Sequence, residues 1–329
     1  MIASDSKQET VLTPLTSYSP ITIDFTLEAP ASGNLDVQWI HGSISPKHNT
    51  DPDIQIHAYN EHTYILRQNM AVHYEAPFMF LLFGNDRAIL LDTGATRSPD
   101  FFPLRQTVDA LIEQWLDKNP RPSYSLVVAH THLHRDHFEG DPQFDDRPNT
   151  EMVGRSLAAT REFYKFQDWP KDVVPFDLGG RVLNVMASPG HEDAEVSIYD
   201  PYTQLLFTGD LLYPGRLYIR DWDEFCGSID RMIAFTDTHP VTYLLGCHVE
   251  MSIYPRLDYL IRTNYQPYER PLQMSVEQLH SVRDAIAHVN GRPGIHVFDD
   301  YIIYNGIPDR YFSYENMDPS AAPGDLRPA

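Results

Sequence analysis

The segment Tyr124 to Ala129 is a run of strand length and mostly apolar character, and it leads directly into His130-Thr131-His132-Leu133-His134-Arg135-Asp136-His137. Three imidazoles and a carboxylate within the six residues from His132 to His137 constrain the fold more than any other stretch of the chain. Crowded on one loop, such groups repel one another on protonation, so the cluster costs stability unless a cation is shared among them. Imidazole nitrogen and carboxylate oxygen are the donors that a borderline cation such as Zn²⁺ takes. In open sheets function gathers at strand ends, so further donors are sought where other strands stop.

Three appear downstream. His191 follows Ser188-Pro189-Gly190, Asp210 follows Thr208-Gly209 after the strand-like run Gln204 to Phe207, and His248 follows Gly246-Cys247 after Val241 to Leu245. Each alone is a weak signal, since a His after a Gly is an ordinary turn residue. With the loop they complete seven donors: His132, His134, Asp136, His137, His191, Asp210 and His248. No cysteine belongs to the set, which disfavours a structural zinc site. The two cysteines, Cys226 and Cys247, exclude a disulfide scaffold, and Cys247 reads as a small buried residue. His130 reads as closing its strand. Nine other histidines, from His41 to His296, lack ligand spacing and read as structural.

Around these donors, strands alternate with helices, the pattern of a layered α/β protein. Phe78 to Phe83, a turn at Gly84-Asn85-Asp86 and Ala88 to Leu91 form a hairpin whose second strand exits through Asp92-Thr93-Gly94. Leu104, Val108, Leu111, Ile112, Trp115 and Leu116 share one helical face, and Asn119-Pro120 stops that helix. Trp222 to Phe235 is a second helix. Ser275 and Gln278 form a capping box opening a third, with Val276, Leu279, Val282 and Ile286 inward. Arg181 to Met186, Val196 to Tyr199 and the pair within Gly294 to Tyr304 are strands, and Ile21 to Leu27 reads as one too.

Of the 329 residues, 1–34 read as an N-terminal extension that points to a homodimer, 35–313 as one domain, and 314–329 as a disordered tail. Lys and Arg total 25 against 46 Asp and Glu, a net charge of −21, which speaks against nucleic acid and against an anionic membrane surface. No apolar run approaches the roughly 18 residues of a membrane span. The first twenty residues carry no readable secretory signal, so a cytoplasmic location is expected.

Asp92-Thr93-Gly94, His132-x-His134-x-Asp136-His137, Pro189-Gly190-His191, Gly209-Asp210 and Gly246-x-His248 arrive in that order between about residues 75 and 250. On these motifs the sequence resembles the metallo-β-lactamase-fold hydrolases. The resemblance implies an α/β fold, a four-layer αββα sandwich with a metal site along one edge. It implies two Zn²⁺ ions, with Fe or Mn as alternatives. His132, His134 and His191 would hold one ion, Asp136, His137 and His248 the other, and Asp210 would bridge. Asp92 would support the site through loop hydrogen bonds. Three protein ligands per ion leave an open position, as in catalytic sites. Two cations roughly 3.5 to 4 Å apart give a bridging hydroxide near neutral pH and polarise a carbonyl.

The activity implied is a dizinc hydrolase cleaving a small ester, lactone or related acyl substrate. Asp136 would also shuttle a proton to the leaving group through its second oxygen, unless it is a ligand only. Asp210-Leu211-Leu212-Tyr213 resembles the Asp-x-x-Tyr of N-acyl homoserine lactone lactonases, which implies a Tyr213 phenol bonded to the substrate carbonyl; the other reading is a packed aromatic. Gly215-Arg216-Leu217-Tyr218 with the helix behind it resembles glyoxalase II, although the C-terminal third shows scattered arginines and no Lys-rich clamp. Arg216 and Arg220 read as surface ion pairs before carboxylate binders. The alternatives are therefore a glyoxalase II-like thioesterase, or a non-haem iron redox enzyme resembling persulfide dioxygenases. Against the latter, Asp136, His137 and His248 are all retained.

Overall fold

A computed structural model describes residues 22–306. Ile54–Asn60 (β1), Thr63–Gln68 (β2), Phe78–Phe83 (β3), Arg87–Leu91 (β4), Ser125–Ala129 (β5) and Thr150–Met152 (β6) form a six-stranded sheet in chain order. The first four strands run antiparallel, and β5 and β6 join in parallel. The chain continues through Val173–Asp177 (β7), Val182–Ala187 (β8), Val196–Asp200 (β9), Leu205–Gly209 (β10), Arg216–Ile219 (β11), Tyr243–Gly246 (β12) and Gln273–Met274 (β13). Gly294–Val297 (β14) and Ile302–Asn305 (β15) close the described fold. The second sheet has the order β13-β12-β10-β9-β8-β7, and a small third sheet the order β11-β15-β14.

Among the described residues five α-helices accompany the strands: Leu104–Lys118 (α1), Arg135–Phe138 (α2), Leu157–Tyr164 (α3), Trp222–Thr236 (α4) and Val276–Val289 (α5). Among the described residues no helix is long and apolar enough to cross a membrane.

Alternation along β3 shows how the layers arise. Phe78, Phe80 and Leu82 point into the core between the two large sheets, where Phe80 meets Phe207 with ring centroids 4.6 Å apart. Met79, Leu81 and Phe83 point the other way, onto Val108, Leu111, Ile112 and Trp115 of α1. A strand covered on both faces must be apolar throughout, and that is why this run lacks an alternating polar side. On the outer face of the second sheet, Leu206 and Leu244 pack against Phe225, Ile229 and Met232 of α4 and Leu279 and Val282 of α5. Helix, sheet, sheet and helix follow one another: the αββα sandwich.

The capping box at Ser275 and Gln278 is present, and Asn119 ends α1. Two expectations need correction. Residues 22–27 form no strand: the Asp24 carboxylate accepts from the Thr26 amide at 3.0 Å and its hydroxyl at 2.8 Å, which curls the backbone into a turn. Ile23 and Phe25 are nevertheless buried against the α1 side of the first sheet. The segment 212–220, to which the sequence reading assigns no strand, contains β11, whose short run pairs in parallel with β15 from far along the chain. The tail at 314–329 lies outside the described residues, as does most of the N-terminal extension.

Candidate metal centre

Four strand ends converge on one edge of the sandwich. β5 stops at Ala129 and delivers His132 and His134, then α2 carries Asp136 and His137. The turn after β8 supplies His191, the end of β10 supplies Asp210, and the end of β12 supplies His248. All seven donors expected from the sequence meet here, in two groups: His132, His134 and His191, and Asp136, His137, Asp210 and His248.

In the first group His134 Nδ1 lies 3.1 Å from His132 Nε2 and 2.9 Å from His191 Nε2. Three ligands at tetrahedral angles around an ion bound at about 2.05 Å would sit about 3.3 Å apart, so these nitrogens nearly match a zinc's first shell. In the second, His248 Nε2 lies 3.3 Å from both His137 Nε2 and Asp136 Oδ2. Asp210 Oδ2 faces both groups, 3.8 Å from His132 and His191, 3.6 Å from His137 and 3.4 Å from His248. The other oxygen, Asp210 Oδ1, is buried without a hydrogen-bond partner among the described residues. A buried carboxylate left this way is costly unless a cation takes it up, so the residues fit a metal.

The opposite ring nitrogens are tied down. His191 Nδ1 donates to the Tyr218 carbonyl at 2.8 Å and His248 Nδ1 to the Glu75 carbonyl at 3.1 Å. His137 Nδ1 lies 3.0 Å from Asp92 Oδ2, and Asp92 also accepts from the Thr131 amide at 2.7 Å and the Thr131 hydroxyl at 2.8 Å. Such outer bonds fix which nitrogen faces inward. Cys247 Sγ points at the same Asp92 oxygen, 3.3 Å away, and is fully buried. His130, also buried, has Nε2 3.2 Å from Asp141 Oδ2.

Charge separates the two groups. Burial, and then the neighbouring imidazole of His191, hold His134 down to about 4, and burial with three histidine neighbours holds His132 well below its ordinary range. Burial opposes protonation of His248 as well, yet Asp210 and Asp136 outweigh it and raise that ring to about 9. His137 rises for the same reason. Burial thus disfavours positive charge on the first group of nitrogens, while the carboxylates of the second favour it.

A cavity of about 310 Å³ opens onto this edge, with Leu133, Ile219 and Val249 among its apolar walls. Sequence reading missed two carboxylates here. Glu75 lines the cavity, and burial followed by Asp136 pushes it up to about 7. Glu195 is wholly buried and accepts from the Asp210 amide at 2.9 Å. The available signal was a charged residue abutting an apolar strand in each case.

The sequence matches the Metallo-beta-lactamase superfamily over residues 75–244, more than half of the chain and every donor except His248. The chain belongs to that superfamily. Among its relatives, the acyl-coenzyme A thioesterase MBLAC2 of Homo sapiens is 25% identical over 223 residues, covering 57% of this chain and 77% of its own. The hydroxyacylglutathione hydrolase of Rhizobium meliloti (strain 1021) is 26% identical over 192 residues, covering 54% and 70%. A solved metallo-beta-lactamase from Pontibacter korlensis superposes with a TM-score of 0.47 at 16% identity, over 71% of this chain and 99% of its own.

In this superfamily member Tyr213 lines the cavity and is buried. Its ring sits beside His248, with centroids 5.7 Å apart, but its hydroxyl donates to the Arg216 carbonyl at 2.5 Å and lies 3.2 Å from Glu250 Oε2. In this arrangement the hydroxyl bonds within the fold. Arg216 likewise is no surface residue: it is 4% exposed and forms ion pairs with Glu250 at 2.6 Å and Asp258 at 2.8 Å. Arg220 lines the cavity and is exposed.

Proposed function

We propose that the chain is a metal-dependent hydrolase of small acyl esters, thioesters foremost, working with two divalent cations, Zn²⁺ before Fe or Mn. The observation that carries this reading is Asp210, one oxygen facing both nitrogen groups and the other buried without a partner. His132, His134 and His191 would hold one ion, Asp136, His137 and His248 the second, with Asp210 shared. Bound there, the pair supplies Lewis acidity and a water acidified toward neutrality.

The chain's own residues do the rest. Asp92, Tyr218 and Glu75 hold three imidazoles with the correct nitrogen inward. The apolar cavity walls exclude bulk water from the acyl group. Asp136 lines the cavity, and its second oxygen would take a proton from the attacking water and pass it to the leaving group. A thiolate makes a small demand on that proton, since thiols ionise near a pKa of about 8.5. Thioesters therefore suit this site, and both relatives described above are named for hydrolysing them.

The test is a panel of thioesters, lactones, β-lactams and phosphodiesters presented to metal-loaded protein. Thioesters should be cleaved with the highest kcat/KM. Lactone cleavage exceeding it by tenfold would overturn the substrate preference, and cleavage of none would overturn the reading.

A further inference from the structure

We propose that Arg262 is a specificity-determining residue that binds an anionic group carried by the substrate at the end away from its scissile bond. The inference rests on the acyl-ester reading for the reaction and on the following geometry for the residue. Leu260, Ile261, Arg262 and Thr263 all line the cavity beside the donor cluster. The Thr263 amide donates to the Leu260 carbonyl at 3.0 Å, closing a turn with Ile261 and Arg262 as its central residues. Arg262 has φ +67°, and Ile261 is not in the left-handed region, which is the pattern of a type II turn.

That third position favours glycine, because a side chain there is strained. Here the chain places an arginine. The turn alone gives no reason for it; the side chain's position at the cavity does.

Of the other cavity arginines, Arg220 is engaged by contacts of its own, and two are held by carboxylates. Arg135 pairs with Glu139 at 3.1 Å, and Arg216 is locked between Glu250 and Asp258. Among the described residues no carboxylate pairs with Arg262, which is exposed. The chain as a whole carries a charge of −21 and repels anions at a distance, so an anionic substrate needs a local cation at the point of entry. Leu260, 85% exposed, and Ile261, 45% exposed, offer apolar contact beside that cation. A guanidinium forks equally well onto phosphate or carboxylate, so either group would serve.

Two substrate pairs separate charge from shape: S-acyl-pantetheine 4′-phosphate against S-acyl-pantetheine, and an S-acyl-N-acetylcysteine against its methyl ester. For wild type and Arg262→Gly, the ratio of kcat/KM for the anionic over the neutral member is compared at low and high salt. Glycine relieves the strain, so the melting temperature should hold or rise while the ratio falls about three- to tenfold through KM. Arg262→Lys should keep most of the ratio. The pair showing the larger fall tells phosphate from carboxylate. An unchanged ratio in both pairs overturns the proposal. Should the wild type cleave none of the four, the acyl-ester reading fails instead, and calorimetric binding of free pantetheine 4′-phosphate against free pantetheine tests Arg262. Loss of the phosphate preference in Arg262→Gly supports the role; equal preference in both proteins refutes it.

Discussion

His191 donates from Nδ1 to the backbone carbonyl of Tyr218 at 2.8 Å, and this one bond joins the turn after β8 to β11. It leaves Nε2 facing His134. The same junction is reinforced by Gly190, whose carbonyl accepts from the amides of Arg220 at 2.9 Å and Asp221 at 3.1 Å. Gly190 has φ +143°, and a Cβ there would lie 2.5 Å from the Phe225 Cα.

Gly190→Ala should therefore push α4 from the His191 turn. Neither the backbone angle nor the neighbour can give cheaply, so a loss of about 2 kcal/mol or more is expected. Affinity at the three-histidine position should fall at least about tenfold, as when a ligand's outer support is removed. Calorimetric unfolding and competition with a chromophoric chelator measure both; a stable variant with wild-type affinity would contradict the role given to this junction.

Arg216→Met strips Glu250 and Asp258 of their shared cation. Glu250 is largely buried, so the cost should be about 3 kcal/mol, with Asp258, a third exposed, adding little. Adding Glu250→Gln should recover part of it, because the uncompensated charge goes. Denaturant unfolding of the single and double variants reads the coupling, and simple additivity would argue against it.

Tyr213→Phe removes a hydroxyl that bonds to the Arg216 carbonyl. Stability should fall by about 1 kcal/mol with both cations retained and kcat changed only a few-fold. A hundredfold loss of kcat with full metal content would return the phenol to the substrate carbonyl.

His62 accepts at Nδ1 from the Trp115 indole at 2.9 Å, and burial, followed by Arg181, holds its pKa down to about 4. The unfolded chain takes up that proton near pH 6.5. Between these values the unfolded state binds more protons, so stability is complete above about pH 6.5 and is lost as pH falls toward 4. His62→Gln keeps an acceptor without the titration, and its melting temperature should decline less over that interval. Parallel curves for variant and wild type would rule out the assignment.

The two faces of the fold differed in how readable they were. β3 is apolar at every position and α1 repeats its apolar residues at helical spacing, so both stood out locally. The donors were legible because each ends a strand or sits on the loop just after one. β11 was not, because Arg216 to Ile219 is stabilised by β15, more than eighty residues onward, rather than by its own pattern. The sequence left two readings of Tyr213 open for a related reason: its hydroxyl meets a backbone carbonyl whose position only the folded turn determines. Glu195 carries no motif, and its part in holding Asp210 follows from burial alone.

On the proposed function, Asp210 is shared by two cations that the chain needs for hydrolysis. Elemental analysis of wild-type protein and Asp210→Ala, alongside thioester cleavage by each, tests it most directly. Two divalent ions per chain in the wild type, with loss of bound metal and activity together in the variant, is the predicted result. An active wild type holding fewer than one transition ion per chain would contradict it.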